Sequence, residues 1–264
     1  MSQRNSRESR QRALEEARQA QQRRKRRLRL AAWGGAAVVV AGAGVGLGLG
    51  LSGSGTSSAS ATPSSSSSSS SSYASLSSLG TLAASPSPGP MGPEQVPVPN
   101  APALAGTSSA TAGQAIDGIS CDTSEQTLFH IHTHLTIFVN GQPRQVPAGI
   151  GIPDAAAQQT QAGPFVDSGK CFYWLHTHAA DGIIHIESPV QRTYTLGEFF
   201  DEWGQPLSPA QAGPAKGKVT VILNGKVFNG NPRNVPLGSH ENLQLEVGKP
   251  LVAPETINWP VTGL

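Results

Sequence analysis

The chain has 264 residues, only 37% of them hydrophobic and 14% charged, with 30 Gly and 21 Pro. Such a composition requires a long low-complexity stretch and argues against a single large enzyme domain. The formal charge of +2 hides a division: residues 1–29 hold 11 of the 19 Lys+Arg and 3 of the 17 Asp+Glu (net +8), leaving 8 basic and 14 acidic residues (net −6) elsewhere. The folded part therefore lacks the electrostatic footprint of a nucleic-acid-binding protein, and no nucleic-acid partner is expected.

Residues 1–29 read as a basic arm ending in Arg23, Arg24, Lys25, Arg26, Arg27 and Arg29. From Leu30 to Leu51 the chain runs 22 residues without a charge, about the length that crosses a ~30 Å hydrocarbon core as a helix. A single transmembrane helix over 30–51 is the expectation, and the basic flank places the N-terminus in the cytoplasm and the C-terminal part outside it. A cleaved signal peptide ending near Ala59-Ser60-Ala61 ranks second, because the apolar segment and its leader are long for that purpose. Residues 52–115 are Ser, Ala, Gly, Pro and Thr with Glu94 as the sole charge. This composition predicts a disordered linker, stiffer in its proline-rich second part.

Residues 116–264 make one domain. Alternating and β-branched runs at Thr127–Val139, Cys171–His178, Ile183–Glu187, Val219–Leu223 and Leu243–Val247 predict strands. Turns are expected at Asn140-Gly141, Asp181-Gly182, Asn224-Gly225 and Asn229-Gly230. One short helix is expected after Thr195, which with Glu198 forms a capping box, while Gly204 lies just past the helix end. Leu196, Phe199, Phe200 and Trp203 share one face of it, as core residues do. A weak repeat, LTIFVNG (135–141) then VPAG, and VTVILNG (219–225) then VPLG, predicts two related hairpins. The fold class is thus mainly β, an antiparallel sandwich or small barrel with one short helix. The second repeat places Pro214, Lys216 and Lys218 where the first has His130, His132 and His134, so any chemistry belongs to one place.

Cys121 and Cys171, the only cysteines, lie outside the cytoplasm in this topology and are expected to form a structural disulfide. Cys171 as a metal ligand is the rival, disfavoured because it has the opposite strand parity to His176.

Six of the seven histidines fall in FHIHTHLTIFVNG and WLHTHAADGIIHIES. On strands, His130, His132 and His134 project from one face, as do His176 with His178 and His185 with Glu187. If Asp181-Gly182 is a tight turn, His178 faces His185 and His176 faces Glu187. Imidazoles and a carboxylate converging from a rigid sheet suit a divalent transition metal. The competing reading is a polar sheet face of hydrogen-bonded histidines, which suffices for His240 in its GSHEN loop. No Met lies in 116–264, so a thioether copper(I) site is disfavoured. Zn is the first choice and Cu the second, with Fe²⁺ and Mn²⁺ left open. Six histidines exceed the needs of one four-coordinate ion, leaving either outer partners or two ions.

The string HTH, a short turn, GIIHIES and then YTLGEFFDEWG resembles a signature of membrane-anchored extracytoplasmic proteins of bacteria and archaea with no assigned activity, across roughly Ile116 to Val247. Members often carry an acid directly after HTH, where this chain has Ala179; the resemblance implies that this acid is not an essential ligand. The pattern departs from cupins, in which a Glu follows HxH more closely than Glu187 follows His178.

The expected function is membrane-tethered, extracytoplasmic binding of a transition metal by His130, His132, His134, His176, His178, His185 and Glu187. One alternative is a metal-dependent hydrolase or hydratase with His176, His178 and His185 on the ion and Glu187 as general base. Another is a structural surface module. Surplus ligands and the lack of a recognisable nucleophile or oxyanion motif favour binding; no protein partner is legible.

Overall fold

The computed structural model of the protein describes residues 72–107 and 113–264. The expected basic arm, the expected 30–51 transmembrane helix and residues 52–71 of the expected linker lie outside the described residues. Among the described residues no helix is long and apolar enough to cross a membrane.

Both members of the sequence repeat are hairpins. In the first, β2 (Phe129–Val139) turns into β3 (Gln142–Arg144); in the second, β6 (Val219–Leu223) turns into β7 (Lys226–Phe228). Their Asn-Gly turns have matching left-handed backbones, φ 51° and 72° at Asn140-Gly141 and 48° and 74° at Asn224-Gly225. Two consecutive positive φ values define a type I′ turn, whose twist matches the strands it joins. The hairpins do not pair directly. β8 (Glu241–Val247) lies between them, antiparallel to β6 but parallel to β2, with Leu243 opposite Leu135.

The remaining strands of this eight-stranded sheet are β1 (Tyr73–Ser75), β4 (Leu175–His176) and β5 (Ile183–Ser188), in the order β1-β7-β6-β8-β2-β5-β4, with β3 beside β2. The mainly β expectation holds, and the wholly antiparallel one is corrected by the β8–β2 pair. One edge of the long β2 serves two partners: its N-terminal half, carrying the histidines, pairs with β5, and its C-terminal end pairs with β3.

Parity then sorts the side chains. Leu135, Ile137, Ile184, Ile186, Leu243 and Leu245 point to one face and pack with Tyr173, Tyr194 and the helix α1 (Leu196–Glu202) in the main core. Thr195 caps α1 through the anticipated capping box, and Leu196, Phe199, Phe200 and Trp203 are buried. Beyond α1, Gly204 has φ 68°, the left-handed conformation that ends helices.

The opposite face is covered by two segments. Polar β8 side chains bind the C-terminal tail: Gln244 accepts from Glu255 N and donates to Val252 O, Glu246 accepts from Val252 N, and Asn242 accepts from Ile257 N. Trp259, in a single helical turn (Trp259–Thr262), packs there with Val96 and Ile183. Val96 belongs to the second covering segment, residues 72–107, which composition assigns to the linker. That assignment is corrected for these residues. β1 pairs with β7, and Ala83 bridges to Val252. Gly92 N and Val98 N bond to Val96 O and Pro90 O, closing a tight turn with Glu94 at its tip. The proline-rich chain buries little apolar area by itself but gains β7, Gln145, His185 and the tail as partners.

Candidate metal centre

The histidines lie on the covered face, and register fixes how they meet. His132 is opposite His185 and His130 opposite Glu187 across β2 and β5. On the other side of β5, His176 is opposite His185. His132, His185 and His176 thus form a row across three strands. The tight turn at Asp181-Gly182, with His178 opposite His185 and His176 opposite Glu187, is corrected by a two-residue shift. Asp181 causes it: its Oδ1 accepts from Ile183 N, its backbone oxygen contacts His134 Nε2 at 3.0 Å, and Gly182 O accepts from Leu135 N. Residues 177–182 therefore form a loop anchored on β2. An even shift preserves the face, so the cluster survives the change.

His176, His178 and His185 form the inner group, with ring centroids 4.4–5.5 Å apart. The outer nitrogen of each is engaged. His176 Nδ1 donates to Tyr173 O at 2.8 Å, and His178 Nδ1 donates to Val166 O. His185 Nε2 donates to Glu94 Oε1 at 2.6 Å. These bonds aim the remaining nitrogens inward, where His176 Nε2 and His185 Nδ1 are buried without a hydrogen-bond partner among the described residues. Phe165 stacks on the His178 ring at 4.9 Å, locking its orientation. A ligand atom from each of these three residues and Glu187 lies within 4.8 Å of the others.

A second group shares Glu187 and His185. His130 Nε2 is 2.9 Å from both His132 Nε2 and Glu187 Oε1. His130, His132, His185 and Glu187 also bring ligand atoms within 4.8 Å of one another. His130 is the exposed member of this group, its side chain 38% accessible.

Electrostatics follow burial and pairing. Burial, reinforced by neighbouring imidazoles, pushes His176 and His178 below the usual histidine range and His132 down to about 3. These rings are held neutral, the form that ligates metal. Burial also opposes charge on His185, but the Glu187 carboxylate 3.6 Å from its Nδ1 and the Glu94 hydrogen bond overcome it and raise its pKa to about 9, so an ion on Nδ1 would have to displace a proton there. Glu187 likewise resists the burial penalty through its contact with His130 and the nearby His185 ring, which hold it below the usual carboxylate range.

His134 stands apart from both groups. Its pKa is lowered to about 4 by burial, and its Nε2 is taken by Asp181 O. Among the described residues it joins neither group of converging ligand atoms; its Nε2 contacts the 177–182 loop, and its buried Nδ1 has no hydrogen-bond partner. His240, read as a loop residue, stacks on Trp259 at 4.8 Å and belongs to neither group.

Two acids escaped the sequence reading. Glu94 is buried against His185. Glu125 Oε1 sits 3.5 Å from His178 Nε2, with its side chain 37% accessible. Burial first, and then the Glu187 charge, raises the Glu125 pKa. For Glu94 the signal was faint: it is the one charge in 52–115. Cys121 and Cys171 form the expected disulfide, spanning 50 residues. It joins the strand Cys121–Asp122 to Phe172–Tyr173, the segment whose Tyr173 carbonyl holds His176.

Comparison with protein-family models, curated proteins and solved structures finds no match to this chain. The functional reading accordingly rests on the site.

Proposed function

We propose that the protein is a membrane-tethered, extracytoplasmic transition-metal-binding protein, with Zn²⁺ the first-choice ion and Cu²⁺ the second. The carrying observation is the inner group: three imidazoles converge while their outer nitrogens bond Tyr173 O, Val166 O and Glu94. Ligating histidines are oriented in this way by a carbonyl or carboxylate behind each ring. His176 Nε2, His178 Nε2, His185 Nδ1 and a Glu187 oxygen would hold the ion, and these nitrogen and oxygen donors match the preference of Zn²⁺ and Cu²⁺. The uncharged 30–51 run and its basic flank support the tether, and the disulfide supports an oxidising compartment.

Elemental analysis of the full chain after dialysis against Zn²⁺ tests the binding. At least one retained ion per chain is expected, with a fall of tenfold or more in affinity on His176→Ala with His178→Ala. Retention of no ion would refute the proposal.

A metal-dependent enzyme is the second reading, and Glu125 favours it. Its half-exposed carboxylate beside His178 Nε2 is placed to act as a general base, and an ion held by the histidines would supply the Lewis acidity. Glu187, touching His130 and close to His185, fits a ligand better than the general base expected from sequence. If Glu125→Gln abolishes a hydrolytic activity but leaves metal content unchanged, the enzyme reading replaces the binding one.

A further inference from the structure

We propose that the protein binds two metal ions side by side, the second held by His130, His132 and Glu187 Oε1, with the Glu187 carboxylate bridging it to the ion of the inner group. This inference rests on the metal-binding reading above and extends it to a second site.

Three ligand atoms lie close together on the outer side of the cluster. His130 Nε2 is 2.9 Å from His132 Nε2 and 2.9 Å from Glu187 Oε1. A ring nitrogen carries a proton or a lone pair. If His130 Nε2 carries a proton, that single hydrogen is divided between a carboxylate and a second nitrogen. If it carries a lone pair, it faces the carboxylate oxygen without attraction. One cation facing all three atoms removes the conflict, because lone pairs on two imidazoles and a carboxylate can point at it together. The spacing agrees: donors ~2.9 Å apart are adjacent corners around an ion ~2.1 Å from each.

The inner ion does not use up these groups. His185 offers only one nitrogen inward, since its Nε2 is bonded to Glu94, so it serves the inner ion alone. Glu187 has two oxygens. Oε1 meets His130, while the buried Oε2 has no hydrogen-bond partner among the described residues. Oε1 also lies 3.6 Å from the inner His185 Nδ1, so Glu187 stands between the two groups, and its uncommitted Oε2 leaves a second oxygen for an ion ~3.5–4 Å from the first. Two imidazoles and one carboxylate leave the second ion with open positions, and the exposure of His130 turns that side toward solvent. The inner site is the closed one, and the outer site is open and exchangeable.

The test is equilibrium dialysis of the full chain against Co²⁺, with bound metal counted by elemental analysis. Two ions per chain are expected, the outer one at least tenfold weaker, and His130→Gln with His132→Gln should reduce the count to one. Cu²⁺ loading gives a second measurement: the paramagnetic resonance spectrum should show two coupled ions in the wild type and one isolated ion in the variant. Saturation of the wild type at one ion, with the variant unchanged, would overturn the two-ion inference and leave the metal-binding reading intact. Binding of no ion would overturn both.

Discussion

Glu94 Oε1 accepts a hydrogen bond from His185 Nε2 at 2.6 Å across a sequence separation of 91 residues. A carboxylate from a proline-rich segment thereby fixes the orientation of a buried ring on β5, one strand in from the sheet edge, and the candidate metal site extends beyond the histidine-bearing strands. Removing such an outer partner usually weakens metal affinity by ~10–100-fold. Glu94→Ala is expected to show a loss of that order in a competition titration with a chelator, and unchanged affinity would remove Glu94 from the site.

Glu202 on α1 is a different kind of buried acid. Neither carboxylate oxygen forms a hydrogen bond of normal geometry among the described residues. Burial first, then the charge of Glu198, raises its pKa well above 4.5, and the Leu175 backbone only partly opposes this. Below the unfolded value both states hold the proton and there is no penalty. As pH rises past 4.5 the unfolded state ionises first, so Glu202 removes stability until its folded pKa is passed. Glu202→Gln is expected to unfold at higher urea than the wild type at pH 7 and to lose that advantage near pH 4. A variant less stable at pH 7 would contradict this.

The disulfide closes a loop of 50 residues, which on the chain-entropy model contributes about 4 kcal/mol. Cys121→Ser with Cys171→Ser should lower the unfolding free energy by roughly that amount in denaturant titrations. A loss below ~1 kcal/mol would mean that packing alone holds the Cys121–Asp122 strand in place.

Gly151 tests the support behind His176. Its φ is 70°, and a Cβ there would lie 2.3 Å from Leu175 O and 3.0 Å from the His176 Cβ. Gly151→Ala therefore forces β4 away from the loop and is expected to cost ~1–3 kcal/mol from backbone strain alone, with more from the clash. Thermal unfolding together with metal affinity checks it; a neutral effect on both would show that β4 moves freely.

Much of this arrangement was legible in the sequence because it depends on local chemistry. Asn-Gly pairs set both repeat hairpins, Thr195 and Glu198 set the helix start, and period-two alternation placed the histidines on one face. The parts that were not legible are long-range. Nothing in LTIFVNG or VTVILNG announces that β8 will lie between them. The turn after His178 reads as two residues, but Asp181 uses its side chain and carbonyl to make a loop, shifting His176 from Glu187 to His185. Glu94 was hidden by its surroundings, since a segment of Pro, Ser and Gly becomes ordered through distant partners, 46 residues away for Pro99 with Gln145 and 168 for Ser85 with Ala253.

The most direct measurement of the proposed metal site is X-ray absorption at the zinc edge, on the full chain loaded with one equivalent of Zn²⁺. Three imidazole scatterers at ~2.0–2.1 Å, with one further light donor, are the expected first shell. His176→Ala should reduce the imidazole count to two. A spectrum without imidazole scattering, or one that His176→Ala leaves unchanged, would contradict the assignment of His176, His178 and His185 as the ligands.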